Sequence, residues 1–139
     1  MGIPDLLSQL NRDEGRKKFP YLDTKGKLTI GVGRNLTDRG ISDDEIDYLC
    51  QNDIRLAENT CRQQLPWFSN LDPIRQAVIV NMMFNLGLEK FDEFQQMAMA
   101  VARGNWGEAA RQMQNSLWAR EVGDRAVRLA NQMEQGVWF

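Results

Sequence analysis

The period of the apolar positions changes twice along this chain, and each change marks a structural boundary. Ile3, Leu6, Leu7 and Leu10 recur at i, i+3, i+4 and i+7, one face of a helix. Pro4 suits its first turn and Gly15 its end. From Lys18 to Asn35 the period drops to two. Phe19 and Tyr21 alternate with other residues, and Leu28, Ile30 and Val32 alternate with Thr29, Gly31 and Gly33. Asp23-Thr24-Lys25-Gly26 between them carries the signature of a tight turn. A small hairpin or meander is predicted, with one aliphatic face and one face made of a hydroxyl and two glycines.

The helical period then returns. Ser42-Asp43-Asp44-Glu45 forms a capping box, and Ile46, Leu49, Cys50, Ile54, Ala57 and Cys61 keep helical spacing until Pro66. Such a helix, about 30 Å long, can bridge two lobes. Asp72 and Pro73 open a helix whose Ile74–Phe84 stretch is nearly all apolar, hence central and buried, and Gly87 stops it. Four more helices are predicted at Phe91–Ala102, Trp106–Met113, Ser116–Arg120 and Asp124–Met133. The fold class expected is α+β, mostly helical. A small β-hairpin lobe, about 13–58, would be joined by the long helix to a larger helical lobe, about 1–12 and 59–139, with a cleft between.

Composition narrows the chemistry. The 139 residues fit one domain, 42% hydrophobic and 26% charged, with a net charge of −2. Positive and negative residues are spread evenly between the two halves, so no basic block exists to hold nucleic acid. There is no histidine. That excludes Ser-His-Asp and Cys-His hydrolysis and His-ligated zinc, and no metal or other cofactor is expected. Cys50 and Cys61 lie eleven residues apart in one helical pattern, about 16 Å of helix rise, too far for a disulfide. Both are expected to be buried free thiols. No apolar run is long enough to span a bilayer and no signal peptide is visible, so synthesis in the cytoplasm is expected.

One residue breaks a local rule. Glu14 falls at the C-terminal end of the first helix, where the macrodipole disfavours negative charge. A rule broken without visible gain marks a candidate working site. Asp23 at the hairpin turn and Thr29 on the glycine-bearing strand face complete a candidate trio. Each also has an ordinary reading, as a solvated helix-end acid, a turn aspartate and a strand threonine.

The spacing of that trio, with Leu10-Asn11-Arg12-Asp13-Glu14-Gly15 followed by Tyr21 through Gly33, resembles the T-even phage lysozyme family, glycoside hydrolase family 24. The likeness extends to Ile41–Glu45, to Asn81-Met82-Met83-Phe84-Asn85-Leu86-Gly87, to Trp106–Ala110, to Trp118, to Asp124-Arg125-Ala126 and to Gly136-Val137-Trp138. It implies an endolysin that hydrolyses the β-1,4 bond between N-acetylmuramic acid and N-acetylglucosamine in peptidoglycan. Glu14 would be the acid, Asp23 the base or stabiliser, and Thr29 the residue that orients water. A polar threonine beside glycines suits a held water, so inversion is expected. Gly31, Phe84, Asn85, Trp118 and Arg125 would bind substrate or position the acids. The partner implied is the peptidoglycan glycan strand, met by a monomer without stable membrane insertion, which reaches the wall after holin-type release.

Several positions depart from the family pattern. The loop from Gly33 to Ile41 is short, Asn85 stands where Gln is frequent, and Val122-Gly123 replaces a polar-Pro pair. Arg34 replaces a frequent His, and an Arg34–Asp53 ion pair is expected. Trp106, Trp118 and Trp138 read as packing residues. Two other activities compete. A lytic transglycosylase would need a single acid/base Glu and no Asp, and a non-catalytic glycan-binding module would need neither. The net negative charge suggests that lysis of an anionic wall depends only mildly on salt.

Overall fold

A computed structural model describes residues 2–139. Among these, eight α-helices accompany a three-stranded antiparallel sheet of order β1-β2-β3. The α+β expectation therefore holds, with helix dominant. The chain divides into two compact units, one running up to Leu49 and the other Cys50–Phe139.

In the first unit, α1 (Ile3–Glu14) has Pro in its opening turn and ends at Gly15, whose φ is +79°. The Gly15 N–H bonds back to Asn11 O at 2.9 Å. Strand β1 (Lys17–Leu22) turns through Asp23–Gly26 into β2 (Leu28–Gly31), and a second turn leads to β3 (Arg34–Asn35). Lys17 lies opposite Gly31 and Tyr21 opposite Thr29, so four steps on β1 span two on β2. The surplus residues around Lys18-Phe19-Pro20 bulge from this edge strand, where the missing N–H of Pro20 costs no ladder bond. Phe19 is 79% exposed.

Helix α2 (Asp43–Gln64) opens with the expected capping box: Ser42 N–H donates to Glu45 Oε1 at 2.8 Å, and Glu45 N–H donates to Ser42 Oγ at 3.3 Å. Only Ala57 and Cys61, in its last turns, are buried. Cys50 is exposed, which corrects the expectation of two buried thiols. The apolar stripe of the helix is covered only toward its C-terminal end. Cys61 is buried, and that burial lifts its thiol to about 11.

The second unit is built around α3 (Pro73–Leu86), capped by Asp72 and stopped at Gly87. Val78, Ile79, Met82 and Met83 of α3 lie in the core. Helices α6 (Trp106–Gln114) and α8 (Asp124–Gln135) contribute Ala109, Ala110, Met113, Ala126, Leu129, Ala130 and Met133. The alanines let these two helices approach closely, while unbranched methionines fill the irregular gaps between larger side chains. The single helix expected over Phe91–Ala102 is instead two, α4 (Leu88–Phe91) and α5 (Gln95–Ala102). A tight turn separates them, with Glu93 N–H on Lys90 O and Phe94 N–H on Phe91 O. The turn keeps Phe91 in the core and brings Phe94 edge-on to Trp118 of α7 (Leu117–Val122), with ring centroids 6.0 Å apart. Trp118 is buried, whereas Trp138 is exposed. The left-handed Gly136 ends α8 and leads the last residues off the core. Trp106 lies under the Arg75 guanidinium, 4.2 Å from ring to cation. Arg75 also donates to the carbonyls of Met133 and Glu134, closing the C-terminal turn of α8.

Candidate active site

All three residues of the candidate trio belong to the first unit. Glu14 is the last residue of α1, and its carboxylate rests against the β2–β3 turn: a Cβ added at Gly33 would come within 3.3 Å of Glu14 Oε2. Gly33, with φ +69°, thus gives the turn its shape and leaves room for the acid. Sequence reading noted the glycine but had no means of linking it to Glu14.

Asp23 is held by its own turn. Its Oδ1 accepts the backbone N–H groups of Lys25 and Lys27, both at 2.8 Å. Its N–H donates to Lys27 O at 2.9 Å. The Lys27 backbone bond, with help from the Lys25 bond and the two lysine charges, outweighs the opposing effect of burial and holds the Asp23 carboxyl below its ordinary value. It is therefore ionised at neutral pH. Oδ1 carries both turn bonds, and no hydrogen bond to Oδ2 occurs among the described residues.

Thr29 is the one buried residue of the first unit among those described, 4% exposed. Its hydroxyl donates to the same Lys27 carbonyl at 3.0 Å. Lys27 is therefore a backbone hub: its N–H holds Asp23 Oδ1, and its C=O receives both Asp23 N–H and Thr29 Oγ1–H. With the hydroxyl proton spent inward, the Thr29 oxygen is left as an acceptor. Gly31 follows on the same face of β2, at φ +69°.

Arg34 finds a different partner from the one expected. Its Nη1 donates to Glu45 Oε1 at 2.7 Å and to Gly40 O at 3.3 Å, replacing the expected pair with Asp53. Glu45, already turned back by the capping box, sits within reach of Arg34 at the start of β3. The guanidinium and the Ser42 bonds hold Glu45 at about 2.

The remaining sequence candidates lie in the second unit, on α3, α7 and α8. Arg125 Nε and Nη2 both donate to Asn81 Oδ1, at 3.0 and 2.7 Å. Together with Phe84, these residues line a groove of about 520 Å³ whose apolar walls include Ile54, Phe68 and Val80. Asn81 was not singled out as a partner for Arg125, although it precedes Asn85 by one helical turn on α3. The Trp118 indole N–H donates to Asn85 Oδ1 at 2.8 Å. An indole can only donate, so this bond turns the Asn85 amino group away from the tryptophan.

Glu14 and Asp23 are two carboxylates within one compact unit, and glycan-cleaving hydrolases work with a pair of carboxylates. Comparison with known proteins gives the same class. The chain belongs to the phage lysozyme family, whose profile, described as phage lysozyme, matches residues 11–134. Its relatives include two proteins of Dictyostelium discoideum, probable T4-type lysozyme 1 and probable T4-type lysozyme 2. Each is 26% identical over 163 aligned residues, covering 96% of this chain and 96% of the relative. The pre-baseplate central spike protein Gp5 of Enterobacteria phage T4 is 24% identical over 152 residues, covering 89% of this chain and 26% of that protein. A lysozyme-like, glycan-hydrolysing function follows from the family.

Proposed function

We propose that this protein is a muramidase that hydrolyses the β-1,4 bond between N-acetylmuramic acid and N-acetylglucosamine in bacterial peptidoglycan, acting as a monomer on the glycan strands of the wall. Glu14 donates its proton to the glycosidic oxygen as the bond to the anomeric carbon breaks. A water attacks that carbon from the opposite face, and Asp23 takes its proton. Thr29 Oγ1 accepts a hydrogen bond from the same water and fixes its direction. The cycle leaves Glu14 ionised and Asp23 protonated, and exchange with solvent restores both.

The observation that carries this reading is the Lys27 hub. It ties the ionised Asp23 to an acceptor hydroxyl through the backbone N–H and C=O of one residue, an arrangement suited to holding a water rather than to attacking the sugar directly. A transglycosylase, which uses no such water, has no use for the pairing.

The test is digestion of purified peptidoglycan by wild type and Glu14→Gln, with reducing ends counted and products weighed by mass spectrometry. Wild type should release hydrated reducing ends. The variant should lose about 10²–10⁴-fold in rate, the usual contribution of a general acid, while keeping its melting temperature. Anhydro-muramoyl ends, or full activity in the variant, would overturn the assignment.

A further inference from the structure

The hairpin segment is rich in cations, although positive and negative residues nearly balance over the unit that contains it. Residues 15–40 hold seven Lys/Arg and two Asp/Glu, whereas the whole chain has a net charge of −2. Two of these cations are tied up, Lys27 to Asp38 at 3.3 Å and Arg34 to Glu45 at 2.7 Å. Lys17 and Lys18 make no ion pair among the described residues and are exposed. Neighbours in sequence, they differ in what they face.

Lys17 lies directly opposite Gly31, as Tyr21 lies opposite Thr29. Directly opposed residues of an antiparallel pair project from the same face, and Gly31 and Thr29, two apart on β2, share that face. Lys17 is therefore on the Thr29 face of the sheet, over a position with no side chain. Its stem also runs back along Gly15, the residue after Glu14: a Cβ at Gly15 would be 4.0 Å from Lys17 Cε. Lys18 begins the bulge, where the ladder register is lost.

We propose that Lys17 is a substrate-contacting specificity residue whose ammonium recognises a carboxylate of the acidic peptide stem carried by the glycan strand. This rests on the hydrolytic reading above. The bare glycine opposite, where an added Cβ would meet nothing within 4 Å, leaves space for a substrate group beside the cation. The match is one of charge and position: a free cation on the face that bears Thr29, beside the end of the helix that bears Glu14.

Binding is measured rather than turnover, by sedimentation of the Glu14→Gln protein with insoluble peptidoglycan. Two substrates are used: intact wall, and glycan stripped of its stems by an amidase. Lys17→Glu and Lys17→Gln are compared in this background with Lys18→Glu, which makes the same charge change on the bulge. Lys17→Glu should weaken binding to intact wall about tenfold, the size of one charge-assisted contact, and leave binding to stripped glycan unchanged. Lys18→Glu should stay within about twofold on both. Added salt should weaken binding of the parent to intact wall more than that of Lys17→Gln. Equal losses for Lys17→Glu and Lys18→Glu, an unchanged Lys17→Glu, or a parent that does not sediment with intact wall would each overturn the assignment. Failure of the hydrolytic reading shows itself separately, as a wild-type protein that releases no reducing ends.

Discussion

The two units of this protein are held together by different means. The unit from Cys50 onward has a continuous apolar core drawn from α3, α5, α6 and α8, with Val78, Ile79, Met82, Met113 and Met133 fully buried. The unit up to Leu49 buries a threonine and no apolar side chain among the described residues, and Ile3, Leu7 and Phe19 are exposed. Its order comes from polar links: the Lys27 hub, the capping box at Ser42, the Arg34–Glu45 pair and the glycine turns. Every residue proposed to do chemistry lies in that second kind of structure. Hydrogen bonds fix direction, as a proton donor and a held water require, whereas apolar packing contributes mainly free energy. On the proposed mechanism, oriented chemistry and stability fall to different parts of one short chain.

Paired substitutions break this comparison most sharply. Met82→Ala, at a site with no solvent exposure, should cost about 2–5 kcal/mol by chemical denaturation, through lost transfer energy and the cavity left behind. The rate per folded molecule should change little. Thr29→Val is of similar size, keeps the β-branch and removes the oxygen. It should cost about 1 kcal/mol, the net worth of the bond to Lys27 O, yet reduce hydrolysis by at least about tenfold. If Met82→Ala and Thr29→Val moved activity and stability in the same proportion, the division of labour would be false.

Acid sharpens the contrast with a smaller effect. Glu45 titrates at about 2 in the folded protein against an ordinary 4.5, chiefly because Arg34 donates to its carboxylate. A depressed carboxyl means that the unfolded chain binds more protons between those values, so stability rises with pH across them. The contribution of Glu45 is complete above about 4.5 and fades as the pH falls toward 2. Melting curves of wild type and Glu45→Gln should therefore lie furthest apart near neutrality and draw together in acid. A gap that stays constant from pH 6 to pH 2 would show that the Arg34–Glu45 link contributes nothing. Both side chains remain partly exposed to screening solvent, so the neutral-pH gap should be small, a degree or two in melting temperature.

What the sequence made legible follows the same division. Helices were readable wherever apolar period and caps agreed, as at Ser42–Glu45 and at Asp72, Pro73 and Gly87, because those signals are local. The break at Asp92–Phe94 was not readable, since it goes with seating both Phe91 and Phe94 against the core, ring centroids 6.5 Å apart, a tertiary demand. Cys50 follows the helical spacing but finds no cover, so period alone overstated its burial. The Glu14, Asp23 and Thr29 spacing was readable, with Thr29 on the glycine face of its strand. The Lys27 hub was not, because its links run through the peptide backbone, which no side-chain pattern records. Nor was the choice of Glu45 over Asp53 by Arg34, which depends on where a short loop ends. Asn81 was seen only as part of a buried helix, and its hold on Arg125 needed coordinates.

On the proposed mechanism, Asp23 and Thr29, joined at Lys27, hold the water that attacks the sugar. The configuration of the freshly cut product reads this out directly. Proton NMR recorded during the first turnovers on soluble peptidoglycan fragments, before mutarotation, should show the α-anomer at the new reducing end, inverted from the β-1,4 linkage. A β-anomer would mean that the enzyme, not water, attacks first, and would contradict the account.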